Sequence, residues 1–265
     1  MKRTMHTQGT NRRWRCSALH QVPLWLMIVA IAIGGQSFPA PAYSAEIPPQ
    51  LKEQVLQIIR ENPEAILEAV QAYQRAQQEK AQQARQAALR QLATNPKQAI
   101  GTSPIAGSPK GQLILFEFSD FQCPYCAKAH ETLKAFLAKH GDRVSLVYKH
   151  LPLTSIHAEA MPAAKAAWAA GQQGKFWEFH DALFTNQEQL GEPFYQATAK
   201  ALGLDLAKFD RDRASQAAAT AIARDMQLAD ALRIDGTPFF VVNGEAIPGV
   251  PELADLEAAL NRAQP

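Results

Sequence analysis

Cys123 and Cys126 stand three residues apart in FSDFQCPYCAKAH, residues 118–130, with Pro124 and Tyr125 between them. A Cys-x-x-Cys pair suits three chemistries: a metal clamp, a structural bridge or a reactive dithiol. Structural zinc takes about four ligands, usually from two such pairs. Here there is one pair, with His130 four residues beyond Cys126 as the only nearby addition. A two-cysteine, one-histidine metal site is conceivable, and His130 otherwise reads as a surface residue of an amphipathic helix. A bridge across so few residues closes almost no loop and gains little entropy. The dithiol reading has the most behind it. Pro124 fits the first position of a helix, which puts Cys123 at the N-cap. Its sulfur then faces backbone N–H groups and the positive end of the helix dipole, both of which favour thiolate. Cys126, one turn deeper, should be less exposed and placed to resolve a mixed disulfide.

Glu117 is the second chemical residue. It interrupts the apolar run QLILFEF six residues before Cys123. A carboxylate within a buried strand has a raised pKa and can pass a proton to or from a cysteine. The alternative is an edge residue whose carboxylate reaches solvent. Thr237-Pro238, in GTPFF, is the third feature. An X-Pro bond is cis in only about 5–6% of folded cases, so this dipeptide alone carries little.

The elements around these residues follow from patterning. Leu113 to Phe118 reads as a buried strand, the segment from Cys123 to His140 as a helix, and RVSLVYK (143–149) as the next strand. Strand, helix and strand make a βαβ unit with parallel strands. Lys149 and His150 then fall at a solvated strand end. Residues 157–232 read as helical almost throughout, with Gly171, Gly191 and Gly203 near helix ends and Pro193 at a start. Phe176, Trp177, Phe179, Phe184 and Trp168 read as core of that block, with a groove for substrate as the other use of such aromatics. PFFVVNGEAIPGV (238–250) reads as two strands around Asn243-Gly244, and a last helix begins at Pro251.

The front of the chain is different. Lys2, Arg3, Arg12, Arg13 and Arg15 precede any acidic residue, and an apolar run from Val22 to Gly35 leads into QSFPAPAYSA. That is the layout of a secretory signal over residues 1–45, with an uncleaved membrane anchor as the alternative. Cys16 lies in its basic part and is assigned no role. Without those five cations the formal charge of +2 becomes 22 basic against 25 acidic residues, no footprint for nucleic acid. LKEQVLQIIRE (51–61) has helical apolar spacing, and a second helix runs from Pro63 to about Leu92, becoming Gln- and Ala-rich. Its thin apolar stripe fits a solvated spacer or a self-associating stalk. Residues 94–111 read as a linker with one short edge strand.

Taken together, FEFSDFQCPYC, GKFWEFHDALF (174–184) and GTPFFVVNG (236–244) resemble the DsbA family of exported thioredoxin-fold oxidoreductases over residues 98–265. A depressed first-cysteine pKa is a known trait of that family. The resemblance implies an α/β thioredoxin fold with an inserted helical domain, preceded here by the helical stalk. The parts would be a signal peptide at 1–45, the stalk and possible oligomerisation segment at 46–93, the thioredoxin domain at 94–152 and 233–265, and the insert at 153–232. It implies Cys123 as the attacking and Cys126 as the resolving cysteine, and Glu117 as the buried acid. It also implies Thr237-Pro238 as a cis-proline loop, with the Thr237 backbone pairing with a substrate chain. No cofactor or metal is required. The partners would be cysteine-containing exported proteins and a membrane or soluble redox partner, in the periplasm or another extracytoplasmic space. LKEQVLQIIRENPEAILEAVQAYQ is similar to the N-terminal segment of the ScsC-type branch, whose helices can build oligomers and which includes disulfide isomerases. Oxidase and isomerase therefore both stand as activities.

Overall fold

The computed structural model describes residues 48–263, so the signal expected over residues 1–45 lies outside the described residues. The chain divides into two compact units between Glu61 and Asn62. In the first, α1 (Pro49–Glu61) carries exposed Leu51, Val55, Ile58 and Ile59 along its length. The second opens with α2 (Pro63–Thr94), 32 residues long, started by Pro63 in the first turn. Ile66, Leu67, Val70 and Tyr73 are exposed on its first half, whereas Leu92 near its end is buried. Among the described residues, no helix is long and apolar enough to cross a membrane.

The linker expectation is half met. β1 (Ile105–Gly107) is the short edge strand, but residues 96–100 form a further short helix, α3 (Pro96–Ile100). Asn95-Pro96 restarts a helix as Asn62-Pro63 does, and Gly101, with φ 54°, ends it. β2 (Leu113–Ser119), α4 (Pro124–His140) and β3 (Val144–His150) form the βαβ unit, with β2 and β3 parallel from Leu113↔Val144 to Ser119↔His150. The helical block contains α5 (Ala160–Gly171), α6 (Phe176–Thr185), α7 (Glu192–Ala201), α8 (Leu206–Arg213) and α9 (Gln216–Ala231). β4 (Phe239–Val242) and β5 (Glu245–Pro248) close the sheet in the order β1-β3-β2-β4-β5, every pairing except β2·β3 antiparallel. The last helix, α10 (Leu253–Arg262), starts two residues later than Pro251, because Glu252 takes the extended N-cap position.

Strand alternation assigns the two faces. Leu113, Leu115, Leu146, Phe240 and Val242 pack against Leu133 and Phe136 of α4 and Leu256 and Leu260 of α10. Phe116, Phe118, Val147 and Val241 pack on the other side with Leu92 of α2 and Ala229 of α9. Glu117 follows Leu113 and Leu115 at the two-residue period, so it projects on the face covered by α4. The β4–β5 turn has φ 49° at Asn243 and 85° at Gly244, as a two-residue Asn-Gly hairpin requires. A side chain at Gly244 would also press on Ala93 and Leu89 of α2.

The aromatic expectation holds for Phe176, Phe179 and Phe184, which are buried, with Trp168 and Trp177 partly buried beside them. The solvated strand end does not exist. Lys149 and His150 are both buried, because α3 and α9 cover the end of β3. Lys149 Nζ lies 3.0 Å from Asp225 Oδ1 of α9 and also donates to Ala99 O and Ser103 Oγ.

Candidate active site

The site begins where β2 ends. Asp120 is buried and holds three donors: the Gln122 N–H at 2.8 Å, the Leu153 N–H at 2.9 Å and His157 Nδ1 at 2.8 Å. Its own carbonyl accepts from the Cys123 N–H at 3.1 Å. This carboxylate fixes the turn that delivers Cys123 to the head of α4. Gln187, on the short 3-10 turn Gln187–Gln189, donates one carboxamide nitrogen to the carbonyls of Phe121 (2.8 Å) and Cys123 (2.9 Å). Asp120 and Gln187 were not singled out from the sequence. Asp120 shows only as an acid three before a cysteine, and nothing local marks Gln187.

Cys123 occupies the N-cap with extended backbone (φ −74°, ψ 122°), and Pro124 follows in the first turn. Both cysteines are free thiols; Cys123 is 5% exposed and Cys126 fully buried, while Tyr125 between them is 65% exposed. The Cys123 thiol is held down from 9.0 to about 5. The main cause is a hydrogen bond from the Cys126 thiol to the Cys123 sulfur; burial opposes it. The Thr237 side chain and the N–H groups of Cys126 and Tyr125 add to the lowering. The helix terminus therefore contributes as the sequence implies, but the partner cysteine contributes more. Burial, together with the neighbouring Cys123, pushes the Cys126 thiol far up, although the Asp120 N–H points at its sulfur at 3.5 Å. One pair thus contains one sulfur that favours its anion and one that favours its proton.

Thr237-Pro238 is a cis peptide bond, and the Cys123 thiol donates to the Thr237 carbonyl at 3.4 Å. The loop before β4 thus lies directly against the first cysteine. Glu117 is fully buried, and burial pushes its carboxyl from 4.5 up to about 7, with Ser119 opposing. Opposite it in the parallel register stands Tyr148, whose hydroxyl and the two Glu117 oxygens have no hydrogen-bond partner among the described residues. Burial raises the Tyr148 hydroxyl well above 10.0, and the charges of Glu117, Cys126 and Asp120 raise it further. Tyr148 was not foreseen. Its place opposite Glu117 depends on strand register, which the residue pattern leaves open.

His130 does not join the cysteines. Among the described residues it groups instead with His180 and Asp181, which removes the two-cysteine, one-histidine metal set. It is also not a surface residue: its side chain is 12% exposed and stacks on Phe184 at 5.4 Å.

A five-stranded mixed sheet with a Cys-x-x-Cys at the head of its central helix and a cis-proline loop against the first sulfur defines a thioredoxin-like thiol–disulfide oxidoreductase. The DSBA-like thioredoxin domain family matches residues 114–261, and the chain belongs to that family. A thioredoxin-like oxidoreductase from Silicibacter pomeroyi DSS-3 superposes with a TM-score of 0.59 at 34% identity, over 64% of this chain and 98% of that one. Proteus mirabilis ScsC in a transitional conformation shares the fold, with a TM-score of 0.58 at 22% identity over 81% of this chain and 95% of that one. A relative named Na(+)/H(+) antiporter NhaA 3, from Salinispora tropica, is 38% identical over 159 residues, which is 60% of this chain and 24% of that protein. The chain thus spans about a quarter of the length of that curated relative.

Proposed function

We propose that the protein is an exported thiol–disulfide oxidoreductase that exchanges disulfides with extracytoplasmic proteins through Cys123 and Cys126. In the oxidised enzyme a substrate thiolate attacks Cys123 Sγ, and the S–S bond to Cys126 breaks. Cys126 leaves as a poor anion and takes a proton, for which protonated Glu117 on the strand beneath is the donor. A second substrate thiolate then attacks the substrate sulfur of the mixed disulfide, and Cys123 departs as the stable thiolate. The substrate gains a disulfide, the enzyme retains a dithiol, and the two electrons pass on to a redox partner. The peptide around Thr237 offers its backbone to an extended substrate chain, beside the sulfur under attack. No organic cofactor enters these steps. The observation that carries the reading is the split between the two sulfurs, Cys123 lowered to about 5 and Cys126 raised. Stabilising the reduced thiolate makes the disulfide the stronger oxidant.

Residues 46–93 are proposed as an oligomerisation segment, supported by the exposed apolar residues of α1 and α2. That observation favours a second reading, a disulfide isomerase in which several reduced sites surround one misfolded substrate. Export rests on the signal-like residues 1–45. The direct test replaces Cys126 with Ala and supplies an oxidised peptide. A long-lived mixed disulfide at Cys123, seen by mass spectrometry, is the expected result, and its absence would sink the reaction. Refolding of a scrambled substrate then distinguishes isomerase from oxidase.

A further inference from the structure

His130 on α4 and His180 and Asp181 on α6 meet at the contact between those helices, in a grouping that includes neither cysteine. One donor atom from each lies within 4.8 Å of the others. His180 Nδ1 is 3.0 Å from Asp181 Oδ1, and His130 Nε2 is 3.6 Å from the same oxygen. Bonds of about 2.0–2.1 Å in a tetrahedral site put ligand atoms roughly 3.3 Å apart, so each histidine nitrogen already stands near ligand spacing from the Asp181 oxygen, and the two nitrogens need only draw together from within 4.8 Å. They line a cavity of about 170 Å³ together with Trp177, Leu133 and Leu137. The Asp181 side chain is 46% exposed, so the cavity is entered from its side.

We propose that His130, His180 and Asp181 form a site for a divalent transition-metal ion of zinc's class, bound through two imidazole nitrogens and one carboxylate oxygen with a fourth position left to water. Two histidines and a carboxylate suit zinc and its first-row neighbours and are too nitrogen-rich for calcium or magnesium. Metal ligands must be neutral imidazoles and an ionised carboxylate. Lys134 and Glu131 flank His130 with opposite charges. Ligation through Nδ1 requires the neutral tautomer of His180 that carries its proton on Nε2. The His180 ring is packed among Tyr148 at 5.1 Å, Trp177 at 4.9 Å and Phe184 at 4.9 Å between centroids, all at steep angles to the imidazole. The cage fixes the ring plane as a neighbouring acceptor does in other metal sites.

The test titrates the full chain with Zn²⁺ by calorimetry, in the oxidised form and with Cys16→Ser, so that no thiolate competes. The expected result is saturable one-to-one binding with a Kd of about micromolar or tighter. Asp181→Asn and His130→Gln should each weaken it by at least about tenfold. Co²⁺ in place of Zn²⁺ should give visible absorption bands that both substitutions abolish. The proposal is overturned by no saturable binding up to about 1 mM Zn²⁺. It is equally overturned if Asp181→Asn binds within tenfold (roughly) of wild type. Asp181 is half-exposed and its replacement is isosteric, so this variant decides the matter even if His130→Gln fails to fold.

Discussion

At the scale of single residues, the site is an arrangement of groups that disagree about protons. Cys123 and Cys126 differ by one helical turn, yet one is driven toward the thiolate and the other toward the thiol. The lowered Cys123 pKa has a defined thermodynamic consequence. A depressed folded pKa adds stability that is present above the unfolded value of 9.0 and lost as pH falls through about 5. The reduced protein should therefore gain stability across that window, and Cys123→Ser should flatten the gain in denaturant titrations at stepped pH. Glu117 has the opposite sign. Its raised pKa adds stability that is fully present below 4.5 and lost as pH rises through about 7. Glu117→Gln should abolish that loss and make the variant more stable than wild type at alkaline pH. The same change should slow disulfide exchange by up to about 10²-fold and remove its decline above neutrality, because no carboxylic acid remains to protonate Cys126. Stopped-flow kinetics with a peptide thiol would show both effects.

At the scale of elements, the chemistry depends on how strand ends are covered. The buried ion pair of Lys149 and Asp225 joins β3 to α9, and the Asp225 carboxylate also accepts from the His150 N–H at 3.0 Å. Burial raises the Asp225 pKa in spite of the lysine, which shows how much solvation the pair gives up. Lys149→Met alone should cost about 3–5 kcal/mol by stranding the carboxylate, whereas Lys149→Met with Asp225→Asn should recover most of that loss, because a neutral carboxamide oxygen still accepts from the His150 N–H. Thermal melts of the two singles and the double would measure it. This pair also marks a limit of what the sequence expresses. The strand expected over Leu113 to Phe118, which runs one residue further to Ser119, the Cys123-Pro124 helix start and the Asn243-Gly244 hairpin were legible, because each is set by local period or by a special backbone residue. Lys149, His150 and Tyr148 were not legible in this sense. Their burial is decided by α3, α6 and α9, from distant parts of the chain, and a lysine at a strand end carries no local sign of the aspartate 76 residues away. The grouping of His130 with His180 was hidden for the same reason: it depends on how α4 meets α6, and no periodicity encodes that.

At the scale of the whole molecule, most of the exposed large apolar side chains among the described residues lie along α1 and α2. Leu67→Glu with Val70→Glu should reduce the oligomer proposed above to a monomer in light scattering, while leaving trapping by a single site unchanged. Isomerisation of a scrambled substrate, which needs several sites at once, should fall. The last turns of α2 belong to the core instead, through Leu92 and the contact beneath Gly244, so truncations should stop well before them. The inserted helices reach the reaction centre by another route, the Gln187 carboxamide that ties the carbonyls of Phe121 and Cys123. A primary amide neither gains nor loses a proton at any acidity a living cell meets. The clasp between insert and loop is thus indifferent to the fluctuations that the sulfurs and Glu117 register, and the molecule keeps a constant frame around a variable centre.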